Sequence, residues 1–437
     1  MAKFKKNTQN NVKFIDSQRL YEQVIDKNSL LVKIHDLVDF EHYRPILEPL
    51  YSDEGRSAHD CIFMFKICIL QYLEKNMTER ETTHKIKTNL EYKYFLDLAI
   101  DDEVPHFTKI GTFRKRVGPK FEELLQEFVK VLTDAHIITS DDVRYMDASH
   151  QIADVASVSI NTLLTQACKQ TYELINEHNN FEPINLIDLE EKDFLMSDSA
   201  RKKRFVSLVE LAYELCDEAK RILEYEDDKK LKEAYTILKR IVKERSATVD
   251  DKVVRKNSEQ RGKIASLSDK DATWGAKSKD YQFLGYKHNV TATENGFIEV
   301  VSTHQGHVGD EAMYEDDAKK ISGNKVVADS KYGTIENREL SQKLGIQLVS
   351  PHRRNMKAHL KNQVMEEVFQ YNHTEEYREE MKKRGWIIEG IFGVMKKAHN
   401  FARAKVRGLG KVAMIAQIAA FAMNLKALVR WHSAPAL

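Results

Sequence analysis

Residues Val326-Val327-Ala328-Asp329-Ser330-Lys331-Tyr332-Gly333 set a short apolar run directly before an aspartate and a glycine-containing turn, and the polar helical stretch Ile335-Glu336-Asn337-Arg338 follows. A run this apolar reads as a buried strand, and a strand passing through a turn into a helix is the building unit of an α/β sheet. The unit also delivers Asp329 to the C-terminal end of its strand, where α/β folds gather ligands and reacting groups. One such aspartate proves little by itself.

The order of elements around that unit gives the rest of the fold. Residues 1–27 are polar and read as a flexible arm. From 28 to about 137 the pattern is helical throughout: Ile62, Met64, Phe65, Cys68, Ile69 and Tyr72 recur at helical spacing, as do Phe121, Leu125, Phe128, Val129 and Leu132. Thr78 followed three residues later by Glu81 is a capping-box signal, and Asp101 to Pro105 is a turn. Thr108 to Val117 carries Lys109, Arg114, Lys115 and Arg116; this short basic helix fits a DNA-binding unit of helix-turn-helix type, and it fits equally a bundle with solvated charges. Asp142 to Ile152 alternates as a strand expected to end near Asp147. Two amphipathic helices follow, Asp198 to Tyr225 and a second after Asp228, joined by a short polar turn; they predict a helical hairpin in an insertion at about 160–262. Strands resume at 281–290 and 297–303 around the turn pair Asn295-Gly296. A helix over 310–320, a strand over 325–328, a helix over 335–344 and a last strand over 346–350 complete the pattern. The order predicts an α/β class: a mixed sheet flanked by helices, with an all-α N-terminal domain over 28–137 and the insertion carried within a second domain, 138–437.

Composition narrows the partners more than the fold. The 437 residues suffice for two or three domains, and the formal net charge of +1 hides an uneven spread. From Pro351 onward sixteen Lys and Arg face seven Asp and Glu, a local excess that suits a polyanionic partner. The four cysteines form no C-x-x-C pair and have no His cluster beside them, which argues against structural zinc; Cys61 and Cys68 read as core. Without disulfide spacing or a signal peptide, the expected setting is a reducing cytoplasm. Val412 to Val429 has the length of a membrane span but is Ala-rich and interrupted by Gln417, Asn424 and Lys426, so a buried helix and no membrane partner are expected.

Two further carboxylates lie in settings like that of Asp329. Asp147 falls near a strand end, and Glu389 lies in Trp386-Ile387-Ile388-Glu389-Gly390-Ile391-Phe392-Gly393-Val394-Met395-Lys396, two helical turns before Lys396. Ile388, Ile391, Phe392 and Met395 make an apolar stripe there, which puts Glu389 at or near a buried side, where an unpaired carboxylate is costly. Taken alone, the plainer reading of Glu389 is a rim carboxylate paired with a lysine. Taken together, three carboxylates at strand ends and on a packed helix suit two Mg²⁺ or Mn²⁺ ions that leave positions open for phosphate and water. Arg353 and Arg354 follow a strand end, and Lys397, Arg403, Lys405 and Arg407 follow Glu389; phosphate contact and a solvated basic face are the two readings of this cluster.

These motifs carry a resemblance. Met146-Asp147-Ala148-Ser149, the Ala328 to Gly333 strand exit with Glu336-Asn337-Arg338, and Glu389-x6-Lys396 together resemble bacterial insertion-sequence transposases of the DDE class. Ser57-Ala58-His59-Asp60, Val104 to Thr108, Asp269 to Ala272, Gly285-Tyr286-Lys287 and Arg407-Gly408-Leu409 resemble one branch of them. The resemblance implies an RNase H-like catalytic domain, with Asp147, Asp329 and Glu389 as a catalytic triad holding two Mg²⁺ or Mn²⁺ ions. It further implies Lys396 as a contact to transposon-end DNA. Expected with it are cleavage at the element ends, transfer of the 3′-OH strand to target DNA, and a homodimer or larger assembly on the terminal inverted repeats in the nucleoid. A nuclease of the same fold and an inactivated transposase kept as a DNA-binding protein are the alternatives. Where related enzymes often have an Arg four residues before the glutamate, this chain has Gly385, with Arg384 one position earlier.

Overall fold

A computed structural model describes residues 17–352 and 363–433, apart from positions 53, 55, 56, 75, 76, 185, 186, 191–195, 251, 257–260 and 279. The chain divides into two compact units. One is built from residues up to 151 with 287–304 and 308 onward, the other from 152–286 with 305–307.

In the first unit, α1 (Ser17–Val24) falls inside the stretch read as an arm. Its buried Tyr21 donates from Oη to the Leu98 carbonyl at 2.7 Å, so this part of the arm is helical and anchored. Among the described residues seven more α-helices follow: α2 (Leu30–Leu37), α3 (Arg44–Leu47), α4 (Cys61–Leu73), α5 (Glu79–Thr88), α6 (Leu90–Phe95), α7 (Thr108–Val117) and α8 (Lys120–Asp134). Their starts follow local chemistry. Asp60 caps α4 by accepting from the Ile62 and Phe63 amides, and the Thr78–Glu81 capping box forms at α5 as its spacing predicts. Nearly every side chain of α4 is buried, including Cys61 and Cys68. In α7, Arg114 pairs with Glu79 and Arg116 stacks on the Tyr51 ring, while Lys109 and Lys115 stay exposed.

After β1 (Arg144–Ile152) the chain enters the second unit. There α9 (Ile160–Asn176), α10 (Asp198–Leu223) and α11 (Lys229–Arg245) bury one core of Leu163, Leu164, Phe205, Leu208, Leu215, Leu238 and Ile241, which is the helical insertion expected from the pattern. β2 (Ser246–Val249) and β3 (Lys252–Arg255) form an antiparallel hairpin. β4 (Thr273–Ala276) pairs antiparallel with the first residues of β5 (Gln282–Thr293), with Thr273 opposite Gly285 and Ala276 opposite Gln282.

Back in the first unit, β5 turns through Asn295-Gly296, with Gly296 at φ +81°, into β6 (Ile298–Gln305). Then come α12 (Asp310–Ala318), β7 (Lys325–Val327), α13 (Ile335–Lys343), β8 (Gln347–Val349), α14 (Gln363–Tyr371), α15 (Glu375–Ala398) and α16 (Leu409–Ser433). The strand order is β6-β5-β1-β7-β8, and β7 runs parallel to both β1 and β8. This is the mixed α/β class expected, with a helical N-terminal region. Helix α16 is the core rod: its Phe421 ring lies 4.8 Å from Phe128, 5.2 Å from Phe65 and 5.6 Å from Tyr43. An apolar helix packed on several sides needs no membrane to cover it. The helices before residue 137 share one hydrophobic core with α16 and with Tyr145, Val290, Val327 and Val349 of the strands.

A buried carboxylate gives this core a pH-dependent stability. Asp317 on α12 is fully buried; it accepts from Ser302 Oγ and Asn289 Nδ2, each at 2.7 Å, and its Oδ1 has no partner among the described residues. Burial pushes its carboxyl up to about 6 against the help of those two donors. A carboxyl raised on folding favours the native state at low pH, and that advantage fades as pH rises from the unfolded value of about 3.9 through 6. The urea midpoint should therefore fall between pH 4 and 7 with a component that Asp317→Asn abolishes, on the order of 3 kcal/mol at two pKa units. Identical pH profiles for the two proteins would mean that folding does not raise the Asp317 carboxyl.

Candidate active site

Asp147 and Asp329 come from adjacent parallel strands. β1 pairs with β7 only at Arg144–Val326 and Tyr145–Val327, so Asp147 sits just where β1 loses that neighbour. The strand itself does not end there. It runs on to Ile152, because β5 continues to pair on the other side. Asp329 follows β7 by two residues, held in extension by the Ala328 amide donating to the Val349 carbonyl at 2.9 Å.

The motif after Asp329 builds the turn that fixes it. Asp329 Oδ1 accepts from the Lys331 amide at 2.8 Å, and its carbonyl accepts from Ser350 Oγ at 2.9 Å. Asn337 Nδ2 donates to the carbonyls of Tyr332 and Glu311, each at 3.0 Å, and Tyr332 Oη donates to Asn289 Oδ1 at 2.7 Å. Arg338 is buried and donates to the carbonyls of Leu348 and Ser350 at 3.2 and 3.0 Å. Burial lowers its guanidinium to about 10, still charged at neutral pH. Gly333 packs directly on Arg338 and Ser350, which leaves no room for a Cβ and accounts for a glycine at that position.

Charge is concentrated here. Burial raises the Asp147 carboxyl, Arg384 and the Ala148 amide oppose the rise, and the negative charges of Asp329 and Asp310 add to it. Arg384 Nη2 is 2.9 Å from Asp147 Oδ2, and the Ala148 amide donates to Oδ1 at 2.9 Å. Asp310, at the start of α12, is a carboxylate that sequence reasoning missed. It is buried and accepts from Lys287 Nζ at 2.8 Å and Lys331 Nζ at 2.7 Å. Burial alone would raise its carboxyl, but these two lysines outweigh burial and hold it low. No signal distinguishes Asp310 in the sequence from an ordinary helix-start aspartate, whereas Lys287 and Lys331 lie inside motifs already singled out.

Glu389 is not brought to this cluster. It is exposed on α15, contrary to the buried side expected from its apolar neighbours, and among the described residues its side chain has no hydrogen bond or ion pair. The reason is phase. Ile387, Ile388, Ile391 and Met395 face the core with Arg384, and Glu389 lies five residues beyond Arg384, roughly 140° around the helix. Among the described residues no group of three His, Cys, Asp or Glu side chains is placed to hold a metal ion. Of the basic residues, Lys397, Arg403, Lys405 and Arg407 are exposed and Lys396 is half-buried, while Arg353 and Arg354 lie outside the described residues. The loop carrying Arg403, Lys405 and Arg407 is tied to the end of β1, where Gln151 Nε2 donates to the Asn400 carbonyl at 3.1 Å.

Residues 19–116 match the family model described as Transposase domain (DUF772), and residues 243–425 match Transposase DDE domain. Asp329, Glu389 and Lys396 fall inside the second match, and Asp147 lies between the two. No curated protein and no solved structure matches the chain. With both matches in a single chain and the two aspartates on neighbouring parallel strands, the protein belongs to the insertion-sequence transposases of the DDE class.

Proposed function

We propose that this transposase cleaves DNA at the ends of its own element and transfers the freed 3′-OH strand to target DNA, with Asp147 and Asp329 at the reacting phosphate. The observation that carries the reading is the convergence of those two carboxylates at the same end of adjacent parallel strands, beside Asp310, Lys287, Lys331 and Arg384. The strand order β6-β5-β1-β7-β8 supports an RNase H-like arrangement of the sheet.

The donor set fits a hard divalent cation. Both aspartates offer carboxylate oxygens, and a cation offsets the burial and the neighbouring negative charges that raise the Asp147 carboxyl, so Asp147 and Asp329 are the residues that would hold Mg²⁺ or Mn²⁺, with two ions in this reading. Such ions supply activation of an attacking oxygen and stabilisation of a leaving one. The side chains do the remaining work. Lys331, fixed by Asp310, presents positive charge next to Asp329, where a phosphate oxygen has to be neutralised. Arg384 neutralises Asp147 in the free chain, so loading the site requires that ion pair to open. Glu389 joins the aspartates as the third carboxylate through a turn or shift of α15 on the DNA complex. The helical segment 28–137 binds the inverted repeats, Lys396, Lys397, Arg403, Lys405, Arg407, Arg353 and Arg354 take DNA phosphates, and pairing of two ends needs a dimer or larger assembly at the nucleoid.

Purified protein incubated with labelled element-end DNA should release and join 3′ ends with Mg²⁺ and do neither with EDTA. Hydrolysis without joining would make it a nuclease of the same fold. Shifted but uncut DNA under both conditions would sink the catalytic reading and leave a DNA-binding protein, the reading that the exposed Glu389 favours.

A further inference from the structure

The second unit holds a cavity of about 1270 Å³, half-open to solvent and lined in part by Trp274, Arg201, Lys202, Arg255, Glu190 and Asp198. It exceeds the roughly 300–1,000 Å³ of small-molecule pockets, which suits a segment of a polymer better than a metabolite. Its charge is not balanced. Glu190 is engaged by Lys169, and Asp198 lies 3.3 Å from Arg201 Nη1. Lys202 and Arg255 are exposed, and among the described residues their side chains have no hydrogen bond or ion pair. Lys203, next to Lys202, and Lys252, at the other end of β3 from Arg255, are exposed as well.

We propose that this groove in the insertion binds a segment of single-stranded DNA, with Trp274 stacking on an unpaired base and Lys202 and Arg255 holding the flanking phosphates. The inference rests on the DNA-acting reading above and gives the insertion a role that its sequence did not. Exposed cations beside an aromatic face are the two elements by which proteins hold single strands without reading sequence: the cations follow the backbone, and any base can stack. A duplex does not satisfy the same site, because its bases are already stacked on each other and offer Trp274 no free face.

The test uses the full chain in EDTA, so that binding is read without cleavage, and a labelled oligothymidine of roughly twelve nucleotides as the probe. The chain has three tryptophans. Oligothymidine should quench part of their fluorescence, and Trp274→Phe should remove that part. In anisotropy titrations, Lys202→Ala with Arg255→Ala should weaken oligothymidine binding about tenfold and leave duplex binding within about twofold. Quenching that persists in Trp274→Phe, or oligothymidine affinity unchanged in the double variant, overturns the proposal while duplex binding keeps the DNA-acting reading intact. Equal quenching by polyglutamate makes the groove a general anion site and also overturns it. A wild-type chain that binds neither oligothymidine nor duplex overturns both readings.

Discussion

Asp329→Asn should lower end cleavage on the order of a thousandfold or more, the scale of losing a principal electrostatic contributor at a reacting phosphate, while DNA affinity changes by no more than about threefold. The substitution is informative because it removes charge and keeps shape. An Asn side chain still offers an oxygen to the Lys331 amide that Asp329 Oδ1 now accepts at 2.8 Å, so the turn through Gly333 should survive. Asp147→Asn should act on cleavage equally, with the added loss of its ion pair to Arg384. Asp310→Asn should cost less, roughly ten- to a hundredfold, since its carboxylate acts by fixing Lys287 and Lys331 from behind. Glu389→Gln is the sharpest of the four. If the helix shift proposed for the DNA complex occurs, this variant fails as completely as Asp329→Asn. If Glu389→Gln cleaves at the wild-type rate, the third carboxylate has been misassigned. Full activity in Asp329→Asn would remove the basis of the site altogether.

The contrast between Asp329 and Glu389 shows what the sequence made legible here. Around Asp329 the information is local: an apolar run, an acid, a glycine and a capped helix specify a strand, a turn and their order, and the described structure follows them nearly residue for residue. The capping box at Thr78 and the turn at Asn295-Gly296 are legible for the same reason. Glu389 was misplaced because an apolar stripe fixes a helix face only to within a residue or so, and one residue on a helix is about 100°. Ile387 and Ile391 point inward together with Arg384, which turns the neighbouring glutamate out. Asp310 was missed on different grounds. Its importance comes from Lys287 and Lys331, separated from it in sequence and joined to it only by the packing of β5, α12 and the turn after β7. Strand length failed similarly: β1 outruns its pairing with β7 because β5 supports it, and no local pattern reports a partner more than a hundred residues away.

The frame beneath the aspartates should be sensitive to a single charge. Arg144 and Glu299 are both fully buried, with Arg144 Nε 2.9 Å from Glu299 Oε2. Arg144 also donates to the Thr139 carbonyl at 2.7 Å and to Ser322 Oγ at 2.9 Å, and Glu299 Oε1 accepts from the Ser322 amide at 2.8 Å. Gly323 lies against the guanidinium with no space for a Cβ. This one network joins the start of β1, the body of β6 and the loop leading into β7, so it fixes the strands that carry Asp147 and Asp329. Removing a single partner strands the other charge in the interior, and Glu299→Gln should cost about 3–5 kcal/mol in urea unfolding. The pair as a whole is worth far less than that, because two charges taken from water recover little beyond their own desolvation. Arg144→Met combined with Glu299→Leu should therefore restore most of the stability lost in the single variant. If it does so yet cleavage remains depressed, the network's contribution is to the placement of the strand ends and not to the stability of the fold. A single variant that loses less than about 1 kcal/mol would mean that water reaches the pair and that the sheet is held by its apolar faces alone.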